Sequence, residues 1–273
     1  MPELPEVETI GNALAAVIVG QSIARVEVFA PAMRTPLAPL EQAELAGRTI
    51  IAVRRRGRYL VLELDDHRGV MMHFGMSGVV RVESPKVPRR KHEHIFFHLS
   101  GGEILRFECA RRFSLCEVHH LTASGLPAAL EKLGVEPLSE AFNGAYLYRV
   151  SRKRATPIKG FIMDNQVVVG VGNIYATEAL FAAGIAPLRA AGKLTRAEAE
   201  RLVGEIKEVL AKAIAAGGST IRDYRHVDGS EGMFAQELAA YGRAGLECLR
   251  CGGAIATTRI GGRSSAYCPK CQK

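Results

Sequence analysis

Four cysteines close this 273-residue chain as Cys248 and Cys251, sixteen further residues, then Cys268 and Cys271. Two C-x2-C pairs at that separation suit four thiolates around one metal ion, the arrangement of a structural zinc site. Two disulfides are the alternative. They need an oxidising compartment, whereas the start MPELPEVE is acidic where a secretory leader is basic. The pattern predicts one structural Zn2+ and a soluble, cytoplasmic protein. A segment so short cannot build a core of its own, so the metal must supply its folding energy. Cys109 and Cys116 stand apart from this tail.

Upstream, the hydrophobic periodicity changes twice. Pro5 to Val19 predicts a helix: proline suits the first position, Glu6 and Glu8 favour its positive end, and Gly20 stops it. Val7, Ile10, Leu14 and Val17 are its expected apolar stripe. From Ser22 to about His120 the runs Ile23–Phe29, Thr49–Leu64 and Val70–Val82 predict strands. Ile95–Leu99 and Glu103–Phe107 predict a hairpin about Ser100-Gly101-Gly102. From about Pro127 the pattern turns helical, most clearly over Thr195–Ala216, where Thr195 and Glu198 form a capping box and Gly217-Gly218 ends the helix. A Gly- and charge-rich linker over Gly217–Gly232 leads to the cysteines. The expected fold class is α+β: an N-terminal β-sandwich with a leading helix, then a helical domain and a zinc finger. The expected boundaries are 1–125, 126–232 and 233–273. No apolar run is long enough to span a bilayer, so no membrane partner is expected.

A formal charge of +8 favours polyanionic partners. Gly170-Val171-Gly172-Asn173 precedes a helical run ending at Gly184, and a helix start with permissive glycines is a phosphate site. Tyr175 and the lack of a strand-helix-strand pattern separate it from a dinucleotide fingerprint. Asn173 reads as a helix cap and phosphate ligand. Lys159 and the cluster Arg152-Lys153-Arg154 just upstream read as backbone contacts, against a plainly solvated charged stretch. At the other end, Met before Pro is usually trimmed, which leaves Pro2 with a free amine. A terminal amine titrates near 8, about two units below lysine, and is nucleophilic towards aldehyde-like carbon. Glu3 beside it is placed for proton transfer. An ordinary acidic, proline-rich start is the bland alternative.

Eight stretches in order carry a resemblance: MPELPEVET, HFGMSG at His73–Gly78, KHEH at Lys91–His94, RRF at Arg111–Phe113, MDNQVVVGVGNIYATEALFAAGI at Met163–Ile185, FAQEL at Phe234–Leu238, YGRAG at Tyr241–Gly245, and the four-cysteine tail with GGRSS. From first residue to last the chain resembles the formamidopyrimidine-DNA glycosylases. PELPEVE favours this branch over related pyrimidine-directed endonucleases, which usually begin PEGPE. The resemblance implies a β-sandwich, a helix–two-turn–helix motif and a zinc finger. It implies a monomer acting in the bacterial nucleoid on double-stranded DNA that contains oxidised bases or abasic sites. The implied activity is excision of oxidised purines such as 8-oxoguanine and formamidopyrimidines, then strand cleavage by β,δ-elimination. Pro2 would attack the sugar and Glu3 would move protons, with Glu6 and Glu178 as supporting acids. Met76, Arg111 and Phe113 would fill the space of an extruded base. His92, Arg154, Lys159 and Asn173 would contact DNA. Arg263 would grip a phosphate flanking the lesion and serve δ-elimination.

Two positions depart from the family pattern. Arg58 stands where the family usually has lysine; it can hold phosphate but cannot shuttle a proton at neutral pH. Cys109-Ala110 replaces a common Asp-Pro, which predicts a looser turn under Arg111 and Phe113. A non-catalytic damage binder and a lyase for oxidised pyrimidines are therefore kept as alternatives.

Overall fold

The computed structural model describes residues 2–218 and 238–273. The expected linker from 219 to 232 and residues 234–237 of FAQEL lie outside them. The chain divides into two compact units, the first holding residues 2–132 and the second 133–216 with the tail from 238.

In the first unit, helix α1 (Leu4–Ile18) begins one residue earlier than expected, with Glu3 at its N-cap. Val7, Ile10, Leu14 and Ile18 are buried, whereas Val17 is 42% exposed. At 3.6 residues per turn, Ile18 lies nearer than Val17 to the centre of the stripe, which corrects the sequence reading. The helix packs on β2, and Glu8 forms an ion pair with Arg55 of that strand.

Eight strands follow: β1 (Ile23–Val28), β2 (Ile50–Arg56), β3 (Tyr59–Leu64), β4 (Arg68–His73), β5 (Gly78–Glu83), β6 (Glu93–Leu99), β7 (Ile104–Cys109) and β8 (Leu115–His120). Single-turn helices α2 (Ala38–Glu41) and α3 (Ala128–Glu131) sit before β2 and after β8. The antiparallel sheets have the orders β1-β6-β7-β5 and β2-β3-β4-β8. Val80, Ile95, Phe97 and Phe107 of one sheet share a core with Leu60, Leu62, Val70 and Met72 of the other and with α1. Full burial of each such side chain is worth about 2 kcal/mol. The expected run Thr49–Leu64 is two strands broken at Gly57, and Val70–Val82 is two strands in different sheets. The HFGMSG segment is that crossing between sheets. The Ser100–Gly102 hairpin forms as expected.

The second unit contains α4 (Gly144–Ser151), α5 (Ile158–Ile162), α6 (Asn173–Ala183) and α7 (Arg196–Ala215). Two successive turns over 163–172 join α5 to α6, giving the helix–two-turn–helix motif. Thr195 and Glu198 form the expected capping box. The tail folds as the hairpin β9 (Ala256–Ile260) and β10 (Arg263–Tyr267), joined through Gly261 and Gly262 at φ of 55° and 75°. That turn favours glycine at both positions. Among the described residues no helix is long and apolar enough to cross a membrane.

Candidate active-site and nucleic-acid-binding residues

Pro2 and Glu3 lie against the positive end of α1. Both are buried, Glu3 at 4% exposure, and Glu6 is 2% exposed. Glu6 Oε2 accepts from the Glu3 N–H at 2.8 Å, fixing the backbone that carries Pro2. The terminal residues are thus built into the helix start, an environment that stabilises carboxylates.

Arg58 occupies the tight turn between β2 and β3, not a strand, because Gly57 at φ 57° reverses the chain there. It is 9% exposed. His73 pairs in register with the adjacent Tyr59, their rings 4.8 Å apart. Burial, then the charges of Arg58 and Arg34, push the His73 imidazole down to about 4. Its Nδ1 accepts from the Gly75 N–H at 3.1 Å, so the neutral ring carries its proton on Nε2. Sequence reading singled out neither partner. His73 belongs to the HFGMSG run, but Arg34 lies in irregular chain that carries no pattern.

Met76, Arg111 and Phe113 come together on two touching loops. Gly75 adopts φ 58°, and a Cβ there would overlap the Phe113 carbonyl, so the loops meet through backbone. Phe113 is 52% exposed and Met76 41%, with Arg111 5.2 Å from the Phe113 ring centre. Apolar side chains of this size held in solvent by a close-packed backbone are unlike core residues.

The turn beneath Arg111 and Phe113 is tied despite its missing proline. Ser114 Oγ donates to the Phe74 carbonyl at 2.8 Å and, its one proton so used, can accept from the Cys109 thiol, whose Sγ lies 2.9 Å away. The Cys109 N–H donates to the His92 carbonyl at 2.8 Å, joining the half-buried His92 to the same cluster. Arg112 closes the turn through its N–H to the Cys109 carbonyl at 3.3 Å, in a left-handed φ of 54°. Cys109 and Cys116 are core residues of the sandwich, and burial pushes the Cys116 thiol up.

In the second unit Lys159 is 1% exposed. Its Nζ donates to Asn173 Oδ1 at 2.8 Å, Ser265 Oγ at 2.8 Å and the Ser264 carbonyl at 3.2 Å. The ammonium, expected from the sequence to contact the DNA backbone, is buried and makes these three hydrogen bonds within the unit. It ties α5 to the start of α6 and to β10, beside the exposed Arg263. Asn173 is the first residue of α6, with Gly172 in the cap position expected of Asn173. Arg263 opens β10 directly after the glycine turn. Arg154 is exposed, its carbonyl accepting from the Gly192 N–H at 2.8 Å. Glu178 is 6% exposed and accepts from three backbone N–H groups, those of Ala239, Ala240 and Tyr241, at 2.8, 3.0 and 2.6 Å. Its carboxylate anchors the chain entering the finger.

The tail sulfurs converge. Cys251 Sγ and Cys268 Sγ are 3.6 Å apart, Cys248 Sγ and Cys271 Sγ 3.9 Å, and all four lie within 4.8 Å of one another. Four thiolates at about 2.3 Å from one zinc in a tetrahedron stand about 3.8 Å apart. The donor set fits one structural Zn2+. Phe181, Ala240, Ile255 and Ala266 form the small core around it, and Gln272 Nε2 donates to the Ile185 carbonyl at 2.9 Å.

Family comparisons cover the chain in three pieces. Residues 1–116 match the formamidopyrimidine-DNA glycosylase N-terminal domain, 133–225 its H2TH domain, and 245–273 the zinc finger found in FPG and IleRS. A formamidopyrimidine-DNA glycosylase of Thioalkalivibrio sulfidiphilus is 48% identical and one of Alcanivorax borkumensis 46%, each over 100% of both chains. The structure of Lactococcus lactis Fpg with DNA containing an abasic site superposes with a TM-score of 0.92 at 37% identity over 100% of both chains. MutM (FPG) of Thermus thermophilus does so with 0.87 at 38% identity, over 99% of this chain and 98% of that one. Sandwich, helix–two-turn–helix and four-cysteine finger thus recur in one order over the whole length, and the chain belongs to the formamidopyrimidine-DNA glycosylase family.

Proposed function

We propose that this protein is a DNA glycosylase of base excision repair that excises oxidised purines from duplex DNA and then opens the strand as a lyase. The carrying observation is whole-length identity of 46–48% to curated glycosylases of that name. In this reading it works as a cytoplasmic monomer on bacterial DNA.

Chemistry starts at Pro2. Its amine attacks C1′ of the lesion nucleotide, the glycosidic bond breaks, and the base leaves with the bonding pair and a proton. The carboxyl of Glu3 serves the proton transfers. The C1′–O4′ bond then opens, O4′ leaving with the bonding pair and taking a proton, to give the Schiff base. This acidifies C2′–H, so loss of that proton expels the 3′ phosphate, and a second elimination expels the 5′ phosphate. Glu6 holds the Glu3 backbone, which supports an aligned amine. Met76 and Phe113 occupy the vacated stack while Arg111 hydrogen-bonds the orphaned base. Arg58, His92, Arg154, Asn173 and Arg263 address DNA, Arg263 also serving δ-elimination. Arg58 holds charge without moving protons. Lys159 acts through Asn173 and the hairpin, and Glu178 through the chain entering the finger.

Zinc takes no part in bond breaking. It fixes the hairpin that presents Arg263. Base release and strand nicking on duplexes carrying 8-oxoguanine, formamidopyrimidine or an oxidised pyrimidine test the proposal. Excision of the purine lesions supports it; binding without release on all three, or release of the pyrimidine alone, overturns it.

A further inference from the structure

A recess of about 510 Å3 opens between α4 and the first turn of α7, lined by Gly144, Tyr148, Arg149, Arg152, Arg196 and Glu200 among others. Its size is that of small-molecule sites. Three guanidiniums there face one carboxylate, and Glu200 lies directly over Gly144, where a Cβ would overlap it.

Arg152 is built in. Its Nε donates to the Tyr148 carbonyl at 3.0 Å and its Nη2 to Ser151 Oγ at 2.9 Å and the Leu194 carbonyl at 2.8 Å. The guanidinium lies 3.9 Å from the centre of the Tyr148 ring, and Arg196 lies 5.3 Å from the same centre. Arg149 is 5.4 Å from the Tyr146 ring. Neither Arg149 nor Arg196 makes an ion pair among the described residues, and both are exposed. Cations gathered this closely repel one another unless an anion joins them. A planar guanidinium matches phosphate through paired hydrogen bonds. Arginine planes held on tyrosine rings are also surfaces on which bases stack. A second basic recess of about 310 Å3, lined by Lys153, Arg154 and Lys193, is carried by the same 151–155 loop, so further phosphates have cations to meet.

We propose that the α4–α7 recess binds a nucleotide, its phosphate on Arg149, Arg152 and Arg196 and its base against the arginine–tyrosine stack. A free mononucleotide and one residue of a single DNA strand present the same chemistry. The test uses the zinc-loaded full-length protein with an abasic-analogue duplex saturating the repair interface. Two probes are titrated, dGMP and a labelled ten-nucleotide lesion-free single strand, against wild type and Arg149→Ala/Arg196→Ala. Both side chains are exposed and without hydrogen bonds to described residues, and a melting curve confirms the variant's fold.

We expect the variant to lose at least tenfold in affinity for the strand, with the salt slope falling by roughly one unit. Its nicking of a lesion duplex should stay within twofold of wild type; probe binding is read without any nicking and so stands or falls separately from the glycosylase reading. Loss of dGMP binding in step would identify a free nucleotide as ligand; loss of strand binding alone would identify a DNA strand. Equal binding by variant and wild type, no binding of either probe by wild type, or an equal loss of lesion nicking would each overturn a separate nucleotide site.

Discussion

Replacing Lys159 with methionine keeps the aliphatic stem and removes a single buried charge. Three acceptors then lose a charged donor: Asn173 Oδ1, Ser265 Oγ and the Ser264 carbonyl. Stranding a buried acceptor costs about 1–3 kcal/mol. Asn173 is half-buried and Ser264 exposed, so water can replace the lysine at both; Ser265, at 0% exposure, is the stranded one. Relief of the buried charge offsets part of the loss. A net destabilisation of about 1–2 kcal/mol in urea unfolding follows. DNA affinity should fall about tenfold to a hundredfold, because Asn173 loses its orientation and the Arg263 hairpin its tether. Titration with an abasic duplex at several salt concentrations separates positioning from phosphate contact. A positioning lysine leaves the slope of log K against log salt where it was, whereas loss of a phosphate ligand removes about 0.9. Lys159→Met and Asn173→Ala should also be non-additive in binding. A slope lower by about one unit, with stability unchanged, would refute the internal role.

Removal of zinc by a chelator, or Cys268→Ser, should unfold the finger and abolish DNA binding while near-ultraviolet signals of the sandwich persist; metal analysis should return one zinc per chain. Met76→Ala and Phe113→Ala should each shift stability by less than about 0.5 kcal/mol, since both side chains are exposed, yet cut excision at least tenfold in single-turnover assays. The Arg189 hydrogen bonds to Glu198 hold that carboxyl down to about 2 from an ordinary 4.5. The pair therefore stabilises the second unit above about pH 4.5 and loses that contribution as pH falls towards 2. After allowance for solvent screening it is worth about 1–2 kcal/mol, and urea midpoints of Glu198→Gln should lack that acid-side dependence.

Local signals were legible where the chain interacts with near neighbours. The α1 start, the Thr195 capping box, the Ser100–Gly102 hairpin and the four-cysteine tail each follow from residues a few positions apart. The rest was not legible because a distant partner decides it. Lys159 resembles a surface cation until Ser265, 106 positions later, closes over it. Glu178 carries no sequence sign that it will accept from backbone at 239–241. Arg58 falls in a turn because Gly57 breaks a run of β-formers, and that same turn sets it beside His73. The turn under Arg111 and Phe113 was expected to loosen without proline; a serine five residues beyond Cys109 ties it instead.

The central claim is that the terminal amine of Pro2 is the nucleophile. Borohydride trapping on a duplex containing 8-oxoguanine or an abasic site tests it most directly, because reduction converts only a Schiff base into a permanent protein–DNA adduct. The processed protein should form the adduct, increasingly as pH approaches about 8, where the free amine accumulates. A form with one extra residue ahead of Pro2 should bind the same DNA and form none. Adduct formation by that blocked form at the wild-type level would place the nucleophile on an internal lysine and contradict the account.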